Sequence, residues 1–151
     1  MKVWIIITAM VIIFLAAIIT LRLANRKSEA VNQSGNFFIP DLMPDNGVNV
    51  PVLETFAGIK GLGNLTFAQN NFRPRFLLFN DHMEFKVLFS RKAFYSEVSF
   101  MMGISQRYFN RMRFNFEDKL LTFTAALANQ REFDQVTQFL ESKGVSIDKR
   151  V

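Results

Sequence analysis

Few side chains in this chain of 151 residues are suited to catalysis or metal binding. His82 is the only histidine and directly follows Asp81, so it could serve as a general base, but no nucleophile motif accompanies it. Cysteine is absent, which excludes disulfides, thiolate nucleophiles and cysteine-ligated metals. Glu117 and Asp118 are adjacent acids in a predicted turn, where such residues are common. We therefore predict no catalytic residue, no metal site, no cofactor and no enzymatic activity.

Basic side chains are concentrated in one stretch of the chain. Residues 73–113 hold eight Lys and Arg against three Asp and Glu, in a chain of net charge +5. The candidate residues for binding an anion or an anionic lipid headgroup are Arg73, Arg75, Lys86, Arg111 and Arg113. The alternative is that outward strand positions carry charge for solubility and for protection of sheet edges. From residue 28 onward, 14 basic and 13 acidic residues nearly balance, so no nucleic-acid partner is expected.

A long apolar run near the N-terminus predicts a segment that is separate from the folded domain. Val3 to Leu21 is 19 residues long and uncharged, and as a helix it would be roughly 28 Å long at ~1.5 Å per residue, close to the ~30 Å hydrocarbon core of a bilayer. We predict that residues 1–27 form a transmembrane anchor. The residues expected to position it are Trp4, Arg22, Arg26 and Lys27.

The basic residues beside this run predict its orientation. Three Lys or Arg follow the run and one precedes it, which favours a cytoplasmic C-terminal domain in a single-pass protein of the cell membrane. The alternative is a cleaved signal peptide, whose apolar region is normally ~7–15 residues long. The length of the run and the arginines after it favour a retained anchor.

The segment after the anchor has no persistent helical or strand period. Residues 28–50 contain Asn, Gln, Ser, Gly and two prolines, which predicts a linker. Phe37, Phe38 and Ile39 interrupt it with apolar side chains, and we interpret the segment as a loosely packed tether. From Pro51 to Lys60, apolar residues on one helical face predict a short helix that glycines then end.

Residues 51–151 are predicted to form one domain, with strands at about 64–126 and a helix at about 130–143. Alternation of apolar and polar residues, clearest in His82–Phe89, predicts about six meandering antiparallel strands. Ser90–Lys92 interrupt the pattern, Gly103–Gln106 are predicted as a loop, and the next strand is predicted to begin at Arg107. The period then changes to helical, with Asn129 as a capping residue and Gly144 as the stop. The fold class is therefore mainly β (α+β), with an N-terminal transmembrane helix and a C-terminal helix.

This order of strands and helix resembles a bacterial pleckstrin-homology-like (PH-like) domain. The segments that carry the resemblance are Phe72–Phe79, His82–Phe89, Tyr95–Phe100 and the predicted helix Glu132–Lys143. The resemblance implies a bent antiparallel sheet, or partly open barrel, of six to seven strands capped at one end by the C-terminal helix. One strand is not visible in the sequence, and either residues 90–93 or the glycine-rich start would have to supply it.

The resemblance implies binding or scaffolding and no catalysis, although a fold alone does not define a ligand. The expected function is that of a membrane-anchored, cytoplasmic PH-like module that recognises a protein or peptide partner, with an open sheet edge to which an extended peptide could add. The alternative is a module that senses anionic lipid through the basic strands.

Overall fold

The computed structural model describes residues 2–34, 36–62, 66–106, 109–117 and 119–150, which form two helices and ten strands. The helices are α1, Lys2–Ser34, and α2, Gln130–Ser142. The strands are β1 Val48–Asn49, β2 Val52–Ile59, β3 Thr66–Asn70, β4 Arg75–Leu78, β5 His82–Lys86, β6 Ser90–Phe94, β7 Val98–Gln106, β8 Phe109–Phe116, β9 Leu121–Leu127 and β10 Ile147–Arg150. A 3-10 turn, Tyr95–Glu97, joins β6 to β7.

The predicted transmembrane anchor at residues 1–27 needs correction. Crossing a bilayer takes about 20 consecutive, mostly apolar helical residues. Over the residues for which the structure is described, no helix has the combination of length and apolarity that a membrane span requires. The predictions of a transmembrane helix, a single-pass membrane protein and a cell-membrane location are therefore wrong. The cytoplasmic orientation, which was derived from that anchor, has no remaining basis.

The residues predicted to position the anchor lie on α1. The helix does not end after the apolar run but continues through Arg22 to Ser34, so it includes the first part of the predicted linker. Trp4 and Arg22 are exposed to solvent on this helix. Arg26 and Lys27 belong to the helical backbone, and their side chains lie outside the described part of the structure.

The strands form two sheets. In sheet A the strand order is β1-β4-β5-β6, and in sheet B it is β10-β7-β8-β9-β2-β3. All pairings are antiparallel except that of β10 with β7, which is parallel. The described residues thus form a mostly β domain with two helices, but the predicted fold needs correction: ten strands in two sheets, one pair of them parallel, replace a single bent antiparallel sheet of six to seven strands, and no transmembrane helix is present among these residues.

The segment predicted as a short helix, Pro51–Lys60, is instead strand β2. It pairs with β3 on one side and β9 on the other, so its backbone groups are used by sheet B on both sides. Thr55 faces the interior, where its hydroxyl donates to the carbonyl of Lys86 at 2.6 Å. Central pairing in a sheet thus outweighs a local helical pattern that only a few apolar residues carry.

Two further segments differ from the sequence expectation. Ser90–Lys92, predicted as an interruption between strands, belong to β6, which pairs with β5 along its whole length. Gly103 to Gln106, predicted as a loop, belongs to β7. The predicted strand start at Arg107 and Tyr108 lies outside the described residues.

Phenylalanines fill the space between the sheets. Phe76 on β4 meets Phe114 on β8 and Phe123 on β9 edge-on, each at a ring separation of 5.5 Å. All three side chains are almost fully buried. Edge-on aromatic pairs contribute about 0.5–1.5 kcal/mol beyond the burial of their area, so these rings stabilise the contact between sheet A and sheet B.

Helix α2 packs against sheet B, where it contacts β8 and β9. Its buried face presents Phe133, Val136 and Leu140 to the core. The helix begins where the Asn129 side chain accepts a hydrogen bond from the Glu132 amide at 2.9 Å. The helix covers Gln130–Ser142, which agrees with the predicted helix at about 130–143. The agreement is close because the capping residue and the following glycine are local signals that the sequence shows directly.

The end of the predicted linker is part of the folded domain. Phe37 is buried in the hydrophobic core. The partly buried side chains of Ile39, Met43 and Val48 pack against that core. Residues 48–49 add strand β1 to the edge of β4. Phe37 and Ile39, two of the three apolar residues that interrupt the predicted tether, therefore hold this segment on the domain.

Candidate functional site

An open cleft lies between the two sheets, below the turn that joins β5 to β6. Its volume is about 370 Å³. Sheet A contributes β5, β6 and the turn at residues 87–89, and sheet B contributes β2, β3, β8 and β9. The residues that line it are Ala57, Phe67, Ala68, Phe85, Val87, Leu88, Phe89, Arg91, Lys92, Ala93, Phe116, Lys119, Leu121, Thr122 and Phe123. A separate element, α2, contributes no residue to this lining.

Three buried aromatic rings form the floor of the cleft. Phe85 stacks on Phe123 at a ring separation of 4.1 Å and on Phe116 at 5.9 Å. Each ring has less than a tenth of its surface exposed. The floor is therefore apolar and held by packing on both sides, which is the rigidity that a ligand site requires.

The rim of the cleft carries large apolar side chains in contact with solvent. Phe89 is 74% exposed, Leu88 is 60% exposed and Phe67 is 57% exposed. Leu88 and Phe89 lie in the β5–β6 turn, and Phe67 lies opposite them on β3. Single exposed apolar residues are ordinary, but several around one cavity mark an interaction surface.

Both sheets end at this cleft. Sheet A ends with β6 and sheet B ends with β3, and each of these strands pairs on one side only within the described part of the chain. At the opposite ends, the short strands β1 and β10 lie beside β4 and β7. An unpaired strand edge presents N–H and C=O groups to which another extended chain can bind.

The five basic residues singled out in the sequence do not form one face. Arg75 and Lys86 are direct partners in the β4–β5 ladder, so they lie side by side on sheet A. Arg111 and Arg113 lie on β8 in sheet B. Arg73 lies in the turn before β4, where the Asn70 side chain accepts from its amide at 2.9 Å. The cations that were grouped in sequence are divided between two sheets and a turn.

The two arginines of β8 are partly buried. Met112 between them faces the core, which puts Arg111 and Arg113 together on the other face of the strand. The Arg111 guanidinium lies over the Phe56 ring at 5.2 Å. Burial, and then the charge of Arg111, lowers the pKa of Arg113. These side chains are packed on the sheet, in contrast to the exposed cations Arg91 and Lys92 at the cleft.

The candidate base His82 lies at the start of β5, outside the cleft lining. Its Nδ1 is 2.6 Å from a carboxylate oxygen of Asp81, and its ring stacks on Phe79 at 4.3 Å. This hydrogen bond lowers the pKa of the Asp81 carboxyl. The imidazole is thus held by its neighbours on both its edge and its face. Over the described residues, no group of His, Asp and Glu is arranged to hold a metal ion.

Sequence reasoning missed the cleft because the cleft belongs to no single segment. Leu88 and Phe89 were interpreted as the end of a strand, whereas β5 ends at Lys86 and they form the turn. Phe67 comes from a different sheet. The available signal was the run of residues 87–89, three consecutive apolar residues that no alternating strand would place together on one face.

Neither family models nor curated proteins give a match to this chain. The class of the molecule therefore rests on its own geometry: a mostly β domain with two helices, in which an apolar cleft lies between two sheet edges. The resemblance to PH-like domains stays a prediction.

Proposed function

We propose that this protein is a binding module that takes an extended segment of a partner protein into the cleft between sheets A and B. The observation that supports this most directly is the combination of an aromatic floor with a free strand edge on each side. Phe85, Phe116 and Phe123 offer an apolar surface, and β3 and β6 offer backbone groups beside it. The two features together suit a peptide better than a compact polar ligand.

Each feature supplies a different part of recognition. In strand addition, backbone hydrogen bonds provide affinity in any sequence, and alternate side chains provide specificity by entering pockets. A segment that pairs with β6 would place every second side chain toward the floor of the cleft. The cleft volume of about 370 Å³ lies in the range of roughly 300–1,000 Å³ that is usual for ligand sites.

A photocrosslinking experiment on the full-length chain tests the proposal. A p-benzoylphenylalanine is placed at Phe89 on the cleft rim or, as a matched exposed phenylalanine beside α2, at Phe38. Cells producing each variant are irradiated. We expect covalent protein adducts from position 89 that are absent from position 38.

Blocking the cleft provides the decisive comparison. Ala68 on β3 lines the cleft and Gln69 beside it does not, so Ala68→Trp fills the cleft and Gln69→Trp controls for a tryptophan on the same strand. The adduct should be lost with Ala68→Trp and kept with Gln69→Trp. Adducts that persist in Ala68→Trp, or their absence from position 89, would contradict the proposal. Circular dichroism of both variants establishes that they are folded.

A further inference from the structure

Resting on the proposed function, we propose that the cleft selects a peptide segment with an acidic side chain two positions from its buried apolar residue, and that Arg91 is the residue that recognises the carboxylate. This assigns a chemical class to the partner segment and a specificity-determining residue to the site.

The charged side chains that line the cleft, among the described residues, are the cations Arg91, Lys92 and Lys119. An acidic peptide would therefore meet complementary charge at an otherwise apolar surface, whereas a basic peptide would meet repulsion. Such complementarity determines the choice of partner more than it raises affinity.

Two of these cations already have close neighbours within the chain. The Lys119 ammonium is 2.7 Å from a carboxylate oxygen of Glu97. The Lys92 ammonium lies over the Phe94 ring, 4.8 Å from its centroid. Arg91 is exposed, and it has no ion-pair partner among the residues that the structure describes. Of the three, its charge is the most accessible to a ligand.

The register of β6 places Arg91 beside the apolar floor. Arg91 is the direct partner of Phe85 in the β5–β6 ladder, and Ala93, two residues further on, is buried. Residues two apart on a strand lie on the same face, so Arg91 is on the face of β6 that turns toward the cleft. A guanidinium at this place can bind a carboxylate with two parallel hydrogen bonds, while the apolar side chain two positions away, on the same face of the peptide, covers Phe85.

The test measures binding of two synthetic peptides to the full-length chain by fluorescence anisotropy. Both are seven residues long with alternating Val and Thr and a central Phe, and they differ in a single Asp or Lys two positions before the Phe, on the same face of the extended peptide. We expect the Asp peptide to bind about tenfold more tightly at low salt, a preference that decreases as salt is raised. Equal affinity for the two peptides would overturn the inference.

Three variants assign the preference to Arg91. Arg91→Glu should reverse it in favour of the Lys peptide, Arg91→Lys should keep its direction, and Arg131→Glu, an exposed site on α2, should leave it unchanged. An unchanged preference in Arg91→Glu contradicts the assignment. Decanoate serves as a fatty-acid probe. If decanoate displaces the Asp peptide and the Asp and Lys peptides bind with equal affinity, the ligand is a fatty acid and the inference is overturned.

The two proposals fail in distinguishable ways. If both peptides bind equally and Ala68→Trp abolishes both, the cleft binds peptides and only the role of Arg91 is wrong. If neither peptide binds and no adduct forms from position 89, the peptide-binding function itself is wrong.

Discussion

Two polar side chains, those of Asn129 and Tyr95, make hydrogen bonds to backbone groups where elements begin or end. Asn129 accepts from the Glu132 amide at the start of α2. The Tyr95 hydroxyl donates to the carbonyl of Phe79 at 2.8 Å, linking the 3-10 turn to the end of β4. Each contact depends on one side-chain oxygen atom, so a single substitution can remove it and its contribution to stability can be measured.

Asn129→Ala should lower the free energy of unfolding by about 0.5–2 kcal/mol, because the substitution removes the acceptor for an amide in the first turn of α2. Urea unfolding followed by circular dichroism measures the change. Asn129→Asp keeps an oxygen acceptor and should retain most of the stability. Equal midpoints for Asn129→Ala and the unsubstituted protein would show that this cap is not stabilising.

Tyr95→Phe should destabilise the protein by about 0.5–1.5 kcal/mol at neutral pH, because the part-buried hydrogen bond to the carbonyl of Phe79 is lost. Burial raises the pKa of the Tyr95 hydroxyl above its ordinary value. The folded state therefore holds this proton more tightly than the unfolded state. The stability that this adds is present below the unfolded pKa of about 10 and is lost as pH rises above it.

Comparing the two proteins at several alkaline pH values tests the sign. The difference in unfolding free energy between the unsubstituted protein and Tyr95→Phe should shrink as pH rises from about 8 to about 11. A difference that grows over this range would contradict the assignment. Measuring the difference cancels the other groups that titrate there.

At the scale of elements, α2 and sheet B fit because one strand residue lacks a side chain. A Cβ atom built on Gly103 in β7 would lie 2.6 Å from the Cζ atom of Phe133. Phe133 is itself buried, so its ring cannot move freely out of the way. The close contact between the helix and β7 thus depends on glycine at this position.

Gly103→Ala should therefore destabilise the fold by about 1–3 kcal/mol, the usual cost of overpacking. The double variant Gly103→Ala/Phe133→Leu should be more stable than the sum of the two single changes predicts, because the smaller side chain makes room for the methyl group. Thermal or urea unfolding of all four proteins gives the coupling energy. Strict additivity would contradict a direct contact.

At the scale of the whole molecule, the segment between α1 and the sheets is fastened to the domain at several points. Phe37 is 6% exposed and belongs to the core, whereas the adjacent Phe38 is 64% exposed beside α2. The amide of Val50 donates to the carbonyl of Phe76 at 2.8 Å. The folded unit therefore begins before the predicted boundary at residue 51.

Phe37→Ala should lower the free energy of unfolding by about 3–5 kcal/mol, as expected for removal of a buried aromatic side chain. Phe38→Ala is the matched control, with an expected change within about 0.5 kcal/mol because its side chain is mostly in solvent. Chemical denaturation measures both. Similar effects from the two substitutions would indicate that the segment is a loose tether.

Local patterns in the sequence determined the elements whose signals are local. The Asn129 cap and Gly144 bracket α2, and the alternation from His82 gave β5 its inward face of Met83 and Phe85. The apolar run at the N terminus gave a helix, yet the membrane span inferred from it was wrong. Hydropathy and capping act between neighbours along the chain, so sequence alone can indicate them.

Only the tertiary structure decided how these elements are used. Pairing on both sides made β2 a strand, and burial drew Phe37 into the core. The cleft joins Phe67 of one sheet to Phe89 of the other, residues 22 positions apart that no periodicity connects. Strand register, sheet edges and cavities arise from contacts between distant segments, and a sequence pattern describes only near neighbours.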